Sequence, residues 1–120
     1  MTTEQFNEIV QLRVGKIYAV LAKKATEYAR GDRLHNFKKA GVRLAQDPVM
    51  ALRGMMEKHL TSVDDMMLDV NAGKIPGKEY VDEKVGDAIN YMILLEALIE
   101  DRRNELSESE VTVDEVSAPI

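Results

Sequence analysis

Glu83, Asp87 and Asn90 fall four and three residues apart in the stretch YVDEKVGDAINYMILLEALIEDRR, a spacing that puts two carboxylates and an amide on one face of an α-helix. At about 100° per residue with Glu83 at zero, Asp87 lies near 40° and Asn90 near 340°, while Leu94 and Leu98 continue the same face near 20° and 60°. A surface helix surrounds its acids with other solvated groups; here the acids lead into an apolar stripe. Carboxylates carried toward a packed interior are costly unless a cation, a ligand or hydrogen-bond donors meet them. The trio is therefore a candidate site for a hard cation with its ligand. The plainer alternative is that the acids suit the dipole at a helix start and that Asn90 bonds across to a neighbouring helix.

The helix that carries the trio, expected over residues 78–106, has a second apolar stripe of Val85, Ala88, Ile89, Met92, Leu95 and Ile99 on its other side. That pattern predicts packing partners on two sides. A domain of this size does not easily cover both, so a homo-oligomer is expected. The helix before it is opened by Asp47 as N-cap and Pro48 at the first helical position and stops at Asn71-Ala72-Gly73. Its apolar arc holds Leu52, Met56, Leu60, Val63 and Met67, with further methionines beside them as adaptable core filling. His59 falls inside the edge of this arc, and Lys58, Ser62 and Asp65 lie along its border. Spacings of three and four make these four residues one patch that can face the acids of the last helix. A satisfied core-edge histidine and a solvated Lys58–Asp65 pair are the bland readings.

Residues 73–78, GKIPGK, form a basic loop between these helices. A first helix is expected over residues 3–28, with Gly15 as a point of bending or close contact, and a short one over 34–44. Between them, Arg30, Arg33, His35 and Asn36 crowd a helix-to-helix turn whose cations suit a phosphate, with Asp32 as a cap in the alternative reading. Strand signals are nearly absent, and aromatic residues make up 5% of the chain. The expected fold is all-α: an antiparallel helical bundle of three long helices plus one short helix, in a single domain over residues 1–106, followed by a flexible acidic tail over residues 107–120.

Composition narrows the function classes. The 120 residues, 45% of them hydrophobic, suffice for one real core. A formal charge of −5 argues against binding a nucleic-acid polymer, whose phosphates demand a basic stripe. With no cysteine and two histidines, zinc–thiolate and most all-imidazole sites are excluded, leaving a hard ion held by carboxylates. The N-terminal stretch MTTEQFNEIV lacks a basic region followed by an apolar run, and no stretch is apolar enough to span a membrane. Cytoplasmic residence is the default expectation.

Read together, EYARGDRLHNFKKAG, ALRGMMEKHLTSVDDM and DEKVGDAINYMILLEALIE resemble small phage-encoded domains associated with nucleotide modification. These in turn look like distant members of the MazG-like all-α nucleoside triphosphate pyrophosphohydrolases. The resemblance covers about residues 23–100. EKVGDAINYMILL is similar to the family's EELGD-type helix, whose acids hold magnesium over a triphosphate. The resemblance implies Mg²⁺-binding roles for Glu83 and Asp87, with Asn90 beside them, and contacts to base or phosphates from the turn holding Tyr28, Arg30, Arg33, His35 and Asn36 and from Lys58. His59 and Ser62, from the patch on the preceding helix, and Tyr91, next to Asn90, are further nucleotide-binding candidates. Where MazG-like enzymes carry two adjacent glutamates and a third three residues on, this chain has Glu57, Lys58 and Thr61.

Three functional expectations follow. The leading one is Mg²⁺-assisted cleavage of a (deoxy)nucleoside triphosphate between its α and β phosphates, with Lys58 neutralising charge and Asp65 positioning water. The second is a protein that sequesters a nucleotide or nucleotide-derived signal without turnover, a reading that the missing glutamates favour. The third is a helical assembly module with no small-molecule ligand.

Overall fold

The computed structural model describes residues 1–22 and 31–109, and all its regular elements are helices: α1 (Thr3–Leu21), α2 (His35–Leu44), α3 (Pro48–Asn71) and α4 (Lys78–Glu108). This is the expected bundle of three long helices and one short one. The expected continuation of the first helix over 23–28 and the tail over 110–120 lie outside the described residues, and α4 runs two residues past the expected end at 106.

Local chemistry fixes the helix ends. Thr2 caps α1 through a reciprocal pair in which its hydroxyl accepts from the Gln5 N–H and the Gln5 side chain accepts from the Thr2 N–H. Asp47 caps α3 by accepting from the Val49 N–H at 2.9 Å, with Pro48 in the first turn as its sequence position requires. Gly73 takes φ +86° after α3, and the Lys74 N–H closes on the Asp69 carbonyl. Gly41 in α2 is needed for a different reason. A Cβ there would stand 2.7 Å from the Gln46 carbonyl oxygen and 3.2 Å from the Pro48 nitrogen, so only glycine lets the turn into α3 close against α2. At Gly15 a Cβ would meet nothing, so the close contact expected at that residue is not what it provides.

α3 and α4 form an antiparallel hairpin across residues 72–77, with α2 packed over the open end of the pair. The core sits there. Leu34 and Phe37 from the start of α2, Leu52 and Met56 from α3 and Leu98 from α4 are buried together, with Tyr91, Leu94 and Leu95 against them. The methionine series divides accordingly: Met56 and Met66 are buried, Met55 is half-buried, and Met50 and Met67 are exposed. Ion pairs tie the same end, Lys38 to both Asp32 (2.6 Å) and Asp101 (3.0 Å), and Arg102 to Asp47. α1 lies along the first half of α4 and contributes no buried residue. So α4 does have neighbours on two sides, but unequal ones. No described helix is long and apolar enough to cross a membrane.

Candidate functional site

The polar face of α4 is met by a helix that carried none of the expected site residues. Arg13 of α1 bonds Asp82 through Nη2 to Oδ1 at 2.6 Å and reaches the Asp82 carbonyl through Nη1 at 3.4 Å, while Lys16 Nζ stands 2.9 Å from the same carboxylate oxygen. A Cβ at Gly86 would lie 2.8 Å from Arg13 Nη1, so with any other residue the guanidinium end would have to shift. Between the two helices is a cleft of about 330 Å³, lined by Arg13, Lys16, Asp82, Glu83, Asp87 and Asn90 among others.

The expected trio divides by depth. Glu83 stands at the mouth, its side chain 63% exposed, with Lys84 3.8 Å away. Asp87 is half-buried and directs Oδ2 toward His59 Nδ1 at 3.5 Å. Asn90 is deepest: its Oδ1 is buried and has no hydrogen-bond partner, an acceptor left open at a cost of about 1–3 kcal/mol. His59 reaches this face because it lies in the apolar arc of α3. Its ring packs on Tyr91 with centroids 4.7 Å apart, and burial followed by the charge of Asp87 pushes the Tyr91 phenol up.

The other residues of the expected α3 patch are not brought to the acids. Lys58 and Asp65 are exposed, and among the described residues their side chains make no ion pair or hydrogen bond. They sit near the flank of α3 opposite the arc that packs on α4. Ser62 is half-buried, and its hydroxyl donates to the Lys58 carbonyl at 3.0 Å. The turn before α2 is also elsewhere. Leu34 and Phe37 anchor Arg33, His35 and Asn36 at the level of Leu98, about 16 Å along α4 from Asp87 at 1.5 Å per residue. Asp32 closes the turn there rather than capping α2, whose N-cap is Leu34: its carboxylate accepts from the Leu34 N–H at 2.9 Å and pairs with Lys38. Tyr28 and Arg30 lie outside the described residues.

Sequence reading thus singled out Glu83 and Asp87 and missed the neighbouring Asp82 with its cations Arg13 and Lys16. Arg13 carried a signal: it interrupts the α1 stripe of Phe6, Ile9, Val10, Ile17, Val20 and Leu21, where a charged residue needs a reason. Lys16 and Asp82 gave none. Among the described residues no group of three or more histidine, aspartate or glutamate side chains is placed to hold a metal ion. No family model matches the chain, and neither does any curated protein or solved structure.

Asp82 also makes the docking of α1 pH-dependent. Lys16, then Arg13, holds its carboxyl below the ordinary value of 3.8. A depressed carboxyl pKa contributes stability that is fully present above the unfolded value and lost as pH falls through the folded one. Protection factors for residues 13–21, taken against the intrinsic exchange rate at each pH, should therefore be high above pH 3.8 and fall below it. Asp82→Asn should reproduce the acid behaviour at neutral pH, and equal protection in that variant and wild type would refute the role given to Asp82.

Proposed function

We propose that the α1–α4 cleft takes a magnesium-bound nucleoside triphosphate and that the chain is a nucleotide-handling protein of the pyrophosphohydrolase kind, cleaving between the α and β phosphates. The observation that carries this reading is one cleft lined both by Arg13 and Lys16, which pair with Asp82, and by Glu83, Asp87 and Asn90. Two carboxylates one turn apart fit one magnesium ion, which is commonly held by one or two carboxylates and completed by waters and substrate phosphates. When bound, such an ion neutralises phosphate charge and orients a water.

The chain's own groups do the rest. Glu83 and Asp87 supply the anionic wall. Arg13 and Lys16, already at the cleft, take the phosphate-neutralising role, which exposed Lys58 is poorly placed for. His59 fixes Asp87 from behind, and the open Asn90 Oδ1 accepts a hydrogen bond from a donor on the nucleotide. The resemblance of the EKVGDAINYMILL segment to MazG-like enzymes points the same way.

A second reading, retention without turnover, is favoured by the absence of a three-carboxylate group among the described residues. One experiment separates them: a nucleotide panel with Mg²⁺, followed by melting temperature and by pyrophosphate release. Stabilisation with release supports the enzyme. Stabilisation with unchanged nucleotide recovered after EDTA supports retention. No shift for any nucleotide, where saturation at ~100 Kd adds about 2.7 kcal/mol, would eliminate both and leave an assembly module.

A further inference from the structure

Within α1 only Arg13, Ile17 and Leu21 are half-buried; its other residues, Phe6 and Ile9 among them, are exposed. These three recur every four residues, so α1 meets α4 along a single line, at about one side chain per turn. The polar part of that line rests on one carboxylate oxygen, Asp82 Oδ1, which Arg13 Nη2 reaches at 2.6 Å and Lys16 Nζ at 2.9 Å. The Lys16 and Asp82 side chains are 52% and 37% exposed, so water and salt weaken this tie. α2, α3 and α4 are joined differently, through the buried cluster around Leu52 and Leu98, to which α1 adds nothing. A helix attached in this way opens at a lower free energy than the core it lies against.

The residues that dock α1 also furnish its side of the cleft. Arg13, Lys16 and Ile17 line the cleft from α1, and Glu83, Asp87 and Asn90 line it from α4. With α1 undocked, α4 presents carboxylates alone, and these repel a phosphate chain. With α1 docked, a guanidinium with five N–H donors and an ammonium with three stand beside them, and the contacts to Asp82 leave most of those donors unused. A phosphate ligand therefore binds the docked form better, which is the condition for a ligand to shift a conformational equilibrium. We propose that docking of α1 and binding in the cleft are coupled: Arg13 and Lys16 extend their unused donors to the phosphates of a ligand held at Glu83 and Asp87, and so lock α1 against α4. The coupling rests on the nucleotide reading above and adds that α1 is the part that responds.

Amide hydrogen exchange of the full chain tests this, free and with Mg²⁺ plus each of the α,β-methylene deoxynucleoside triphosphates, which resist cleavage between the α and β phosphates. Thermal melting beside it reports whether any of them binds. Protection factors for residues 13–21 should rise about 100-fold at ~100 Kd, because a ligand that binds only the docked form favours docking by 1 + [L]/Kd. Leu21→Asp breaks the docking line at a residue outside the cleft lining. It should leave α1 unprotected in the free chain and raise Kd by about 10-fold, since only the docked fraction binds; ligand should then restore the protection. A melting shift with unchanged protection of residues 13–21 overturns the coupling and leaves the nucleotide reading standing. So does a Leu21→Asp chain that loses α1 protection yet binds like wild type. A free wild-type chain whose α1 is already as protected as the helices around Leu52 and Leu98 overturns the coupling as well. No melting shift with any of the nucleotides overturns the reading and the coupling together.

Discussion

Replacing Asp87 with alanine should lower Mg²⁺-dependent pyrophosphate release by about 10²–10³-fold, or roughly 2.7–4 kcal/mol of transition-state stabilisation, the scale on which a single preorganised electrostatic group acts. Asp87 is the half-buried carboxylate of the cleft and the one with a protein partner, His59 Nδ1 at 3.5 Å. Glu83 is more exposed, so its charge is better screened and Glu83→Ala should cost less. The two variants together thus report depth in the cleft. Because Asp87 is half-buried and meets His59, the variant's stability is checked beside its turnover by circular dichroism and thermal melting. Equal turnover in wild type and Asp87→Ala would place the chemistry elsewhere. If the chain retains nucleotide without cleaving it, the same substitution should weaken Mg²⁺-dependent thermal stabilisation instead.

Leu52→Ala should lower the unfolding free energy by about 2–5 kcal/mol, the range for emptying a buried leucine site. Leu52 is 1% exposed and joins Phe37 of α2, Met56 of α3 and Leu98 of α4 in one cluster. The cluster is small, so the loss is a large fraction of the whole: marginal domains hold about 5–15 kcal/mol in total. A fall in melting temperature of about 10–20 °C is expected, at roughly 4 °C per kcal/mol. A drop below about 1 kcal/mol in denaturant titration would mean that the α2–α3–α4 junction is not the stabilising centre.

These two sites lie at opposite reaches of α4, and that separation bears on how much was readable beforehand. The helices were legible because their signals are local. Asp47-Pro48 opens α3, Gly73 ends it, and the 3.6-residue period of apolar positions persists through α4. Such signals act within one turn and need no partner. The acidic face of α4 was legible for the same reason, since spacing alone places Glu83, Asp87 and Asn90 together.

What faces that acidic side was not legible. The grouping of Lys58, Ser62 and Asp65 with His59 followed from their spacing on α3, yet of the four residues only His59 makes a contact with Asp87 or Tyr91, because it lies within the arc that packs on α4. The turn holding Arg33, His35 and Asn36 was attractive for its cations. Its position was decided instead by Leu34 and Phe37, whose burial against Leu52 and Leu98 draws the turn about three to four helical turns away from the acids.

The sequence by itself determined an all-helical chain, the bounds of α3 and the start of α4, and the carboxylate face of α4, because capping, glycine punctuation and helical periodicity are properties of neighbouring residues. Only the tertiary structure decided that Arg13 and Lys16 are the cations beside that face, that the Arg13 guanidinium lies over Gly86, and that Phe6 and Ile9 of α1 stay exposed. Those outcomes depend on how far one helix slides along another. The sliding is fixed by side-chain packing between segments about seventy residues apart, as Arg13 and Asp82 are, and no local pattern encodes it.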